Sequence, residues 1–382
     1  MAFSTGSRQA RRGFITAGLS VLALAGCRTT PSAPRLPDTG VVLPPVVPID
    51  TQRNLVAVIV PTSGEDGAIG QSIANAANLA LIDSGDKSIR ITIYDSAGVG
   101  GAAGAARRAI AQGNRLILGP LLAGEVRAAA PVARRAGVPI VAFSNDESVA
   151  GQGVYIMGFT PDQSIDRVVA HARSKGMARF AALVPTGVYG QRASRAMLAA
   201  VRKSGGRITV VEHYDRSPMA VKIAASRLRD KGIFDAVLIG DSGRIAAIAA
   251  PALPQAAKFL GTELWASDKT LGATAAMRGA WFAAAPDFRF NQLTSRYRSR
   301  HGKAPFRLAS LGYDAVLLAV RSSKDWPVGR AFPAARLTEK TGFSGVDGNF
   351  RFGRDGIAER LLEVRQVNAT GTSVVAPATK GF

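Results

Sequence analysis

The stretch Asn54–Asp83, NLVAVIVPTSGEDGAIGQSIANAANLALID, sets a pattern that the rest of the chain repeats. Residues 55–60 form a continuous apolar run rich in β-branched side chains, which predicts a parallel strand buried on both faces. Residues 69–81 carry apolar side chains at helical spacing and predict an amphipathic helix that packs on this strand. The turn between them, residues 61–70, holds glycines and two carboxylates. It follows the carboxyl end of the strand, where open parallel sheets bind ligands.

The same strand-then-helix order recurs along most of the chain. The chain has 382 residues with 47% hydrophobic content, enough for two packed domains or one large one, and it is not a disordered protein. Further strands are predicted, with helices between them, at 89–94, 116–118, 139–142, 155–159, 180–184, 208–214, 236–239, 258–261 and 280–284. Residues 350–352 and 359–367 predict a closing hairpin, and residues 369–382 a frayed tail. The fold class is therefore α/β.

The N-terminal residues predict an exported lipoprotein. Residues 1–26 combine three arginines with a short apolar run, as in a signal peptide, and leave the export route open between the general and twin-arginine pathways. The ending L-A-G-C resembles the bacterial lipobox, so lipidation is expected at Cys27, which is also the only cysteine. Arg28 stands where an aspartate would resemble an inner-membrane retention signal. We therefore expect a periplasmic protein, anchored by lipid to the outer membrane.

The segment that follows Cys27 predicts an extended tether. Residues 28–53 are rich in proline and show no helical or strand period. The formal charge of the chain is +21, and removal of the three signal-peptide arginines lowers it to +18. Such a charge favours anionic partners such as the cell wall, lipid headgroups or acidic protein faces. Export and the lack of aromatic residues interleaved with the basic ones argue against nucleic acid.

Motifs of common enzyme classes are missing from the sequence. The glycines of the first turn are spaced G-x-x-G-x-x-G, which differs from the dinucleotide fingerprint and is better explained by turn formation. His171, His213 and His301 are isolated, without paired metal-ligand spacing. No nucleophile motif or phosphate-binding loop is present. We expect neither an enzyme nor a cofactor nor a metal site.

Several stretches together resemble the type I periplasmic binding fold of the leucine/isoleucine/valine-binding proteins, over about residues 54–368. After the opening stretch, the matching pieces come in the family's order: R-L-I-L-G-P-L at 115–121, A-G-V-P-I-V-A-F-S-N at 136–145, G-V-Y-G-Q-R at 187–192, L-G-Y-D-A-V-L-L-A at 311–319 and a closing hairpin at 342–357. The resemblance implies two lobes, each a parallel sheet flanked by helices, with a ligand cleft between them.

Mapped onto this chain, the resemblance implies lobe one at 54–158 plus 279–325 and lobe two at 159–278 plus 326–368. The implied cleft residues are Ser63, Gly64, Pro120, Leu121, Phe143, Ser144, Asn145, Tyr189 and Asp241. Ser144 and Asn145 are expected to donate hydrogen bonds to a ligand carboxylate, Tyr189 to pack over the ligand, and Asp241 to pair with an amine. A purely structural role in a turn is an equally good explanation for each.

Two functions remain open. The chain departs from amino-acid receptors because no arginine lies near residues 155–159, and because Asp146 and Glu147 are expected to repel a carboxylate. A lipobox, a proline-rich tether, this fold and a basic charge together resemble the penicillin-binding protein activator lipoproteins, which stimulate a peptidoglycan synthase. The sequence favours such an activator, although the helical-repeat domain of its enterobacterial members is missing. The alternative is a receptor that delivers an amino acid or another small solute to an ABC permease.

Overall fold

The computed structural model describes residues 50–379 and 381–382. The predicted signal peptide, Cys27 and residues 28–49 of the predicted tether lie outside these described residues.

Strands and helices alternate through the first two thirds of the described chain, as the sequence predicts. The helices are α1 (Gly67–Ser84), α2 (Gly101–Ala111), α3 (Ala123–Arg135), α4 (Pro161–Ser174), α5 (Val188–Lys203), α6 (Pro218–Asp230), α7 (Gly243–Ala249), α8 (Asp287–His301) and α9 (Ala309–Ser323). The strands are β1 (Asn54–Val60), β2 (Ile89–Asp95), β3 (Leu116–Leu118), β4 (Ile140–Ala142), β5 (Val154–Ile156), β6 (Arg179–Pro185), β7 (Arg207–Tyr214), β8 (Ala236–Ile239), β9 (Lys258–Gly261), β10 (Trp281–Ala284), β11 (Phe343–Gly345), β12 (Gly348–Phe352), β13 (Ala358–Arg360), β14 (Glu363–Asn368) and β15 (Gly371–Ala376).

The first sheet is parallel throughout and has the order β2-β1-β3-β4-β5. Its interior strand β1 is buried along almost its whole length, which explains the continuous apolar run of residues 55–60. The start of α1 packs tightly against the end of the turn from β1. A Cβ on Gly70 would lie 1.8 Å from the carbonyl oxygen of Pro61. Only glycine fits there, so this position explains one glycine of the first turn. We call this sheet, and the residues packed on it, the first lobe.

The second sheet has the order β15-β14-β10-β9-β8-β6-β7, parallel from β6 to β10 and antiparallel where β14 and β15 join it. We call this sheet, and the residues packed on it, the second lobe. The strand β10, which the implied boundaries place in lobe one, pairs with β9 and belongs to the second lobe. The tail predicted to be frayed contains β15, which hydrogen-bonds along β14. Without β15, the edge of β14 would have no strand partner.

The segment between α9 and β14 also differs from the implied boundaries. The side chains of Trp326, Phe332, Phe350 and Phe352 are buried in the same core as β1 and α1. The strands β11, β12 and β13 form a small antiparallel sheet there, and β12 and β13 form the first part of the predicted hairpin. The predicted second strand, 359–367, is divided in the structure, because its later residues belong to β14 of the second sheet. Residues 326–360 therefore pack on the first lobe rather than the second, because their aromatic side chains cover the apolar faces of α1 and α9.

Among the described helices, none is both long and apolar enough to cross a membrane.

Candidate functional site

A cavity of about 390 Å³ lies between the two lobes. It forms where strands of both sheets end: Phe143 and Asn145 follow β4, Glu263 follows β9, and Ala284 closes β10. This is the edge at which open parallel sheets bind ligands. The lining is mostly apolar and comes from both lobes: Asp66, Ile69, Leu121, Leu122, Phe143, Asn145, Phe159, Glu263, Leu264, Ala266, Ser267, Ala284, Ala285, Arg307 and Leu308.

The structure brings three of the proposed cleft residues to this cavity, namely Leu121, Phe143 and Asn145. Pro120 is buried beside Leu121 and follows a cis peptide bond, so it shapes the loop without lining the cavity. Ser144 is also buried, and its hydroxyl accepts a hydrogen bond from the backbone N–H of Asp146 at 3.1 Å. The Ser144 hydroxyl is thus engaged within its own loop.

Ser63 and Gly64 do not line the cavity, although their turn does reach it. The Ser63 hydroxyl donates to a carboxylate oxygen of Asp95 at 2.6 Å, and this contact ties the turn to β2. Gly64 is exposed with a φ of 73°, a backbone conformation that favours glycine. The cavity is instead reached by Asp66 and Ile69, at the start of α1. The turn therefore reaches the cavity through Asp66 and Ile69 rather than through the predicted Ser63 and Gly64.

Asp241 is separated from the cavity and already has a cationic partner. Its side chain is buried and accepts hydrogen bonds from the hydroxyl of Tyr214 at 3.0 Å and from Nε of Arg216 at 2.9 Å. Its backbone carbonyl accepts a further bond from the indole N–H of Trp265. The expected pairing of Asp241 with a ligand amine is therefore not supported by its position.

Glu263, which the sequence analysis missed, lines the cavity from the second lobe, whereas the other lining acid, Asp66, belongs to the first lobe. Its two carboxylate oxygens lie 2.5 Å from the hydroxyl of Ser164 and 3.2 Å from that of Tyr189. Both neighbours are uncharged, and no ion pair to Glu263 is found in the part of the chain that the structure describes. Burial raises the pKa of Glu263, as expected for a desolvated carboxyl without a cation. Its place just after β9 is the same strand-end signal that led to Asn145.

Tyr189 lies behind the cavity wall and contacts Glu263 instead of lining the cavity. Its hydroxyl is 3.0 Å from the hydroxyl of Thr262 and 3.2 Å from the Glu263 carboxylate. Burial, with the nearby Glu263 charge as a second cause, raises the pKa of Tyr189 well above its ordinary value. Tyr189 therefore remains a protonated donor that holds Glu263 in place.

A charged cluster underlies the other side of the cavity. Arg307 lines the cavity, stacks on Phe290 with its guanidinium 4.1 Å from the ring centre, and pairs with the fully buried carboxylate of Asp347 at 2.5 Å. Arg360 lies 4.5 Å from the ring centre of Phe159 and donates to the carbonyl oxygen of Met157 at 2.6 Å. Arg307 also lies 5.6 Å from the ring centre of Phe159, so both arginines pack on this aromatic residue, where the chain first passes between the lobes.

Asp146 does not present an unpaired negative charge to the cleft, contrary to the sequence expectation. Its carboxylate pairs with Arg127 at 2.8 Å and with Arg192 at 2.7 Å. The neighbouring Glu147 is half-buried, and burial raises its pKa. The repulsion that argued against a carboxylate ligand is therefore largely removed.

In the described ranges 50–379 and 381–382, no group of three or more histidine, cysteine or acidic side chains is placed to hold a metal ion.

Comparison with known proteins agrees with this geometry. A family model described as periplasmic binding protein matches residues 55–372. The chain belongs to the periplasmic binding protein family. The predicted two-sheet α/β fold of the type I class is thereby confirmed, and the family's periplasmic description agrees with the predicted export.

Solved structures in this family resemble the chain over most of its length. The leucine-binding protein LivK of Thermotoga maritima is 20% identical, with a TM-score of 0.62, covering 86% of this chain and 99% of that protein. LivJ of Streptococcus pneumoniae, solved with isoleucine, is 18% identical, with a TM-score of 0.61, covering 85% of this chain and 100% of that protein. At this identity the likeness shows the fold alone.

A curated relative gives no functional information. The uncharacterized protein RP748 of Rickettsia prowazekii (strain Madrid E) is 23% identical over 173 residues, which is 45% of this chain. The match spans 46% of that relative's own length, slightly less than half.

Proposed function

We propose that the protein is a non-enzymatic receptor that captures a small solute between its lobes and delivers it to an ABC permease. The observation that carries this proposal is the cavity of about 390 Å³, lined by loops from both lobes at the carboxyl ends of their strands. The similarity of the chain's fold to a leucine-binding protein and to a branched-chain amino acid transporter substrate-binding protein supports the same function. The sequence favoured an activator of wall synthesis, whereas the family neighbours favour this alternative.

The lining indicates the chemical class of the solute. Leu121, Phe143 and Leu264 give the cavity an apolar surface suited to an aliphatic or aromatic body. Glu263 adds a desolvated carboxylate whose protein neighbours are neutral hydroxyl groups. A protonated amine beside Glu263 would supply the missing counter-charge, because a buried carboxylate is stabilised by a nearby cation. We therefore expect a small, largely apolar solute that carries an amine, such as an aliphatic amino acid.

The test compares two solutes that differ only in this amine. Calorimetric titration of the purified protein is expected to show binding of leucine and at least about tenfold weaker binding of isocaproate, the same molecule without its amino group. In Glu263→Gln the leucine affinity is expected to fall by about tenfold or more, because the charge that faces the amine is removed. Glu359→Gln is the matched control, since Glu359 pairs with Arg351 on the exposed hairpin.

Equal binding of leucine and isocaproate would contradict the role given to Glu263. A loss of leucine affinity in Glu359→Gln as large as that in Glu263→Gln would contradict it as well. If no aliphatic amino acid binds to the wild-type protein, the solute class is wrong.

An activator of a peptidoglycan synthase is the second candidate. The lipobox at Cys27, the proline-rich residues 28–53 and the strongly basic charge of the chain support it, since together they suit a domain held away from an outer membrane and near an anionic wall. Lipid attachment and outer-membrane anchoring belong to the same proposal. Mass spectrometry of the mature N-terminus tests them, because a mature chain that does not begin with a lipidated Cys27 contradicts both.

A further inference from the structure

We propose that Arg192 is a positioning residue that holds the second lobe against the cavity-lining loop of the first lobe and thereby slows solute release. The effect on release rests on the proposed receptor function, whereas the effect on the lobes does not. The loop concerned is residues 143–148, which follows β4 and supplies Phe143 and Asn145 to the cavity wall. Arg192 belongs to the first turns of α5, in the second lobe.

The Arg192 side chain contacts two groups of this loop, one on a side chain and one on the backbone. Its Nη2 lies 2.7 Å from a carboxylate oxygen of Asp146, and its Nη1 donates to the carbonyl oxygen of Asn145 at 3.4 Å. The Asp146 side chain is only 4% exposed and that of Arg192 only 17%. An ion pair so shielded from water is screened less than a surface pair. Its geometry also suits a guanidinium, which can bond two acceptors at once.

Arg192 is unusual among the basic residues because its carboxylate partner lies in the other lobe. Within the described part of the chain, the other ion pairs are internal to one lobe, except that of Arg365 with Asp287, which lies where the chain passes from β10 into α8. The pair of Asp146 and Arg192 joins residues that are not themselves on a crossing. It therefore adds a connection between the lobes beyond the polypeptide itself.

Arg127 provides an internal comparison, because it binds the same carboxylate from within the first lobe. Its Nη2 lies 2.8 Å from Asp146, and its side chain is 57% exposed. Removing Arg127 takes a cation from Asp146 but breaks no contact between the lobes. Removing Arg192 leaves Asp146 partly neutralised and breaks the contact between the lobes. If the two arginines only neutralise Asp146, removing either one should change the distance between the lobes to a similar extent. If Arg192 positions the lobes, only its removal should change that distance.

The first measurement needs no solute. Spin labels at Ala128→Cys on α3 and Ala199→Cys on α5, both exposed, are introduced into the full chain carrying Cys27→Ser, and pulsed electron resonance gives the interlobe distance. Arg192→Ala is expected to lengthen and broaden this distance, while Arg127→Ala leaves it unchanged. Arg192→Lys is expected to fall between Arg192→Ala and the wild type, because lysine keeps the charge but loses the paired donors. Arg192→Gln replaces the alanine variant if that variant is poorly folded.

The second measurement follows release of leucine by stopped flow. Arg192→Ala is expected to release leucine about tenfold faster than the wild type, with Arg127→Ala close to the wild type, because losing a shielded charged contact acts mainly on the off-rate. Unchanged distances in Arg192→Ala, or equal changes in Arg192→Ala and Arg127→Ala, would overturn the inference. A wild type that binds no leucine refutes the proposed solute instead, and the distance measurement still decides the role of Arg192.

Discussion

Asp314 is a buried acid whose surroundings favour its protonated form. Its carboxylate accepts a hydrogen bond from the backbone N–H of Val346 at 2.7 Å and lies close to the buried Asp347. Burial, with the charge of Asp347 as a second cause, raises the pKa of Asp314 to about 7. In an unfolded chain an aspartate has a pKa of about 4. The folded protein therefore binds this proton more tightly than the unfolded chain does.

This difference predicts a specific dependence of stability on pH. The contribution of Asp314 is fully present below pH 4 and is lost as the pH rises toward 7, because deprotonation then favours the unfolded chain. We expect the free energy of unfolding of Asp314→Asn to fall less between pH 5 and pH 7 than that of the wild type. The difference should be on the order of 1 kcal/mol per pH unit, measured by urea denaturation.

A matched control is Asp230→Asn, because Asp230 is an exposed acid at the end of α6. The free energy of unfolding of Asp230→Asn is expected to change with pH as that of the wild type does. Parallel pH dependence in the wild type and Asp314→Asn would contradict the protonated state assigned to Asp314.

Asp241 and Glu263 show which properties of single residues can be predicted from the sequence. Strand ends could be located from hydrophobic runs, and so the loops that hold Asn145 and Asp241 were found. Which carboxylate lacks a cation depends on side chains distant in the sequence: Arg216 reaches Asp241, whereas Ser164 and Tyr189 reach Glu263. Spacing along the chain carries no information about such pairings, so the choice of Asp241 over Glu263 could not be corrected from the sequence.

The helices α1 and α9 pack so closely that one of them needs a glycine at the contact. A Cβ on Gly312 of α9 would lie 2.5 Å from the backbone oxygen of Ile73 in α1 and 2.8 Å from a methyl carbon of the same residue. These distances are shorter than van der Waals contact, and the backbone oxygen of a helix cannot move aside by itself. The residue that the sequence shows as an ordinary helical glycine thus sets the spacing of the first lobe.

We expect Gly312→Ala to lower the free energy of unfolding by about 1 to 3 kcal/mol, because the added methyl group forces α9 away from α1. The control is Gly124→Ala in α3, where a Cβ would meet nothing within 4 Å. That substitution is expected to be neutral or to stabilise by up to about 1 kcal/mol, since alanine favours a helix over glycine. Chemical denaturation of both variants measures the difference. A Gly312→Ala protein as stable as Gly124→Ala would show that the contact between α1 and α9 can accommodate an added methyl group.

Element types were predictable from the sequence, whereas their assignment to sheets was less so. The period of the apolar residues predicts β1 and α1 because it reports burial of each element. It does not report the neighbour in the sheet, and therefore β10 was assigned to the wrong lobe. β15 was missed for a related reason. It is an edge strand with mostly exposed side chains, so its sequence lacks an apolar pattern while its backbone pairs with β14.

Both lobes line the cavity at the edge where the carboxyl ends of their strands lie. Leu122 of the first lobe lines the cavity and is 42% exposed, and Val188 at the start of α5 in the second lobe is 62% exposed. Both residues therefore lie on the side where a permease would bind under the proposed receptor function. Ile233 is 74% exposed but precedes β8, at the opposite, amino-terminal ends of the strands. The two candidate functions predict different partners at these positions.

Photo-crosslinking in intact cells separates these partners. A crosslinking amino acid is introduced in place of Leu122, Val188 or Ile233, and the captured proteins are identified by mass spectrometry. A receptor is expected to capture a subunit of an ABC permease from Leu122 and Val188, with little capture from Ile233, because solute transfer requires the cavity edge to face the permease. Added solute should increase that capture, since solute favours the closed lobes. Capture of a peptidoglycan synthase in place of a permease subunit, without a response to solute, would contradict the receptor and support the activator.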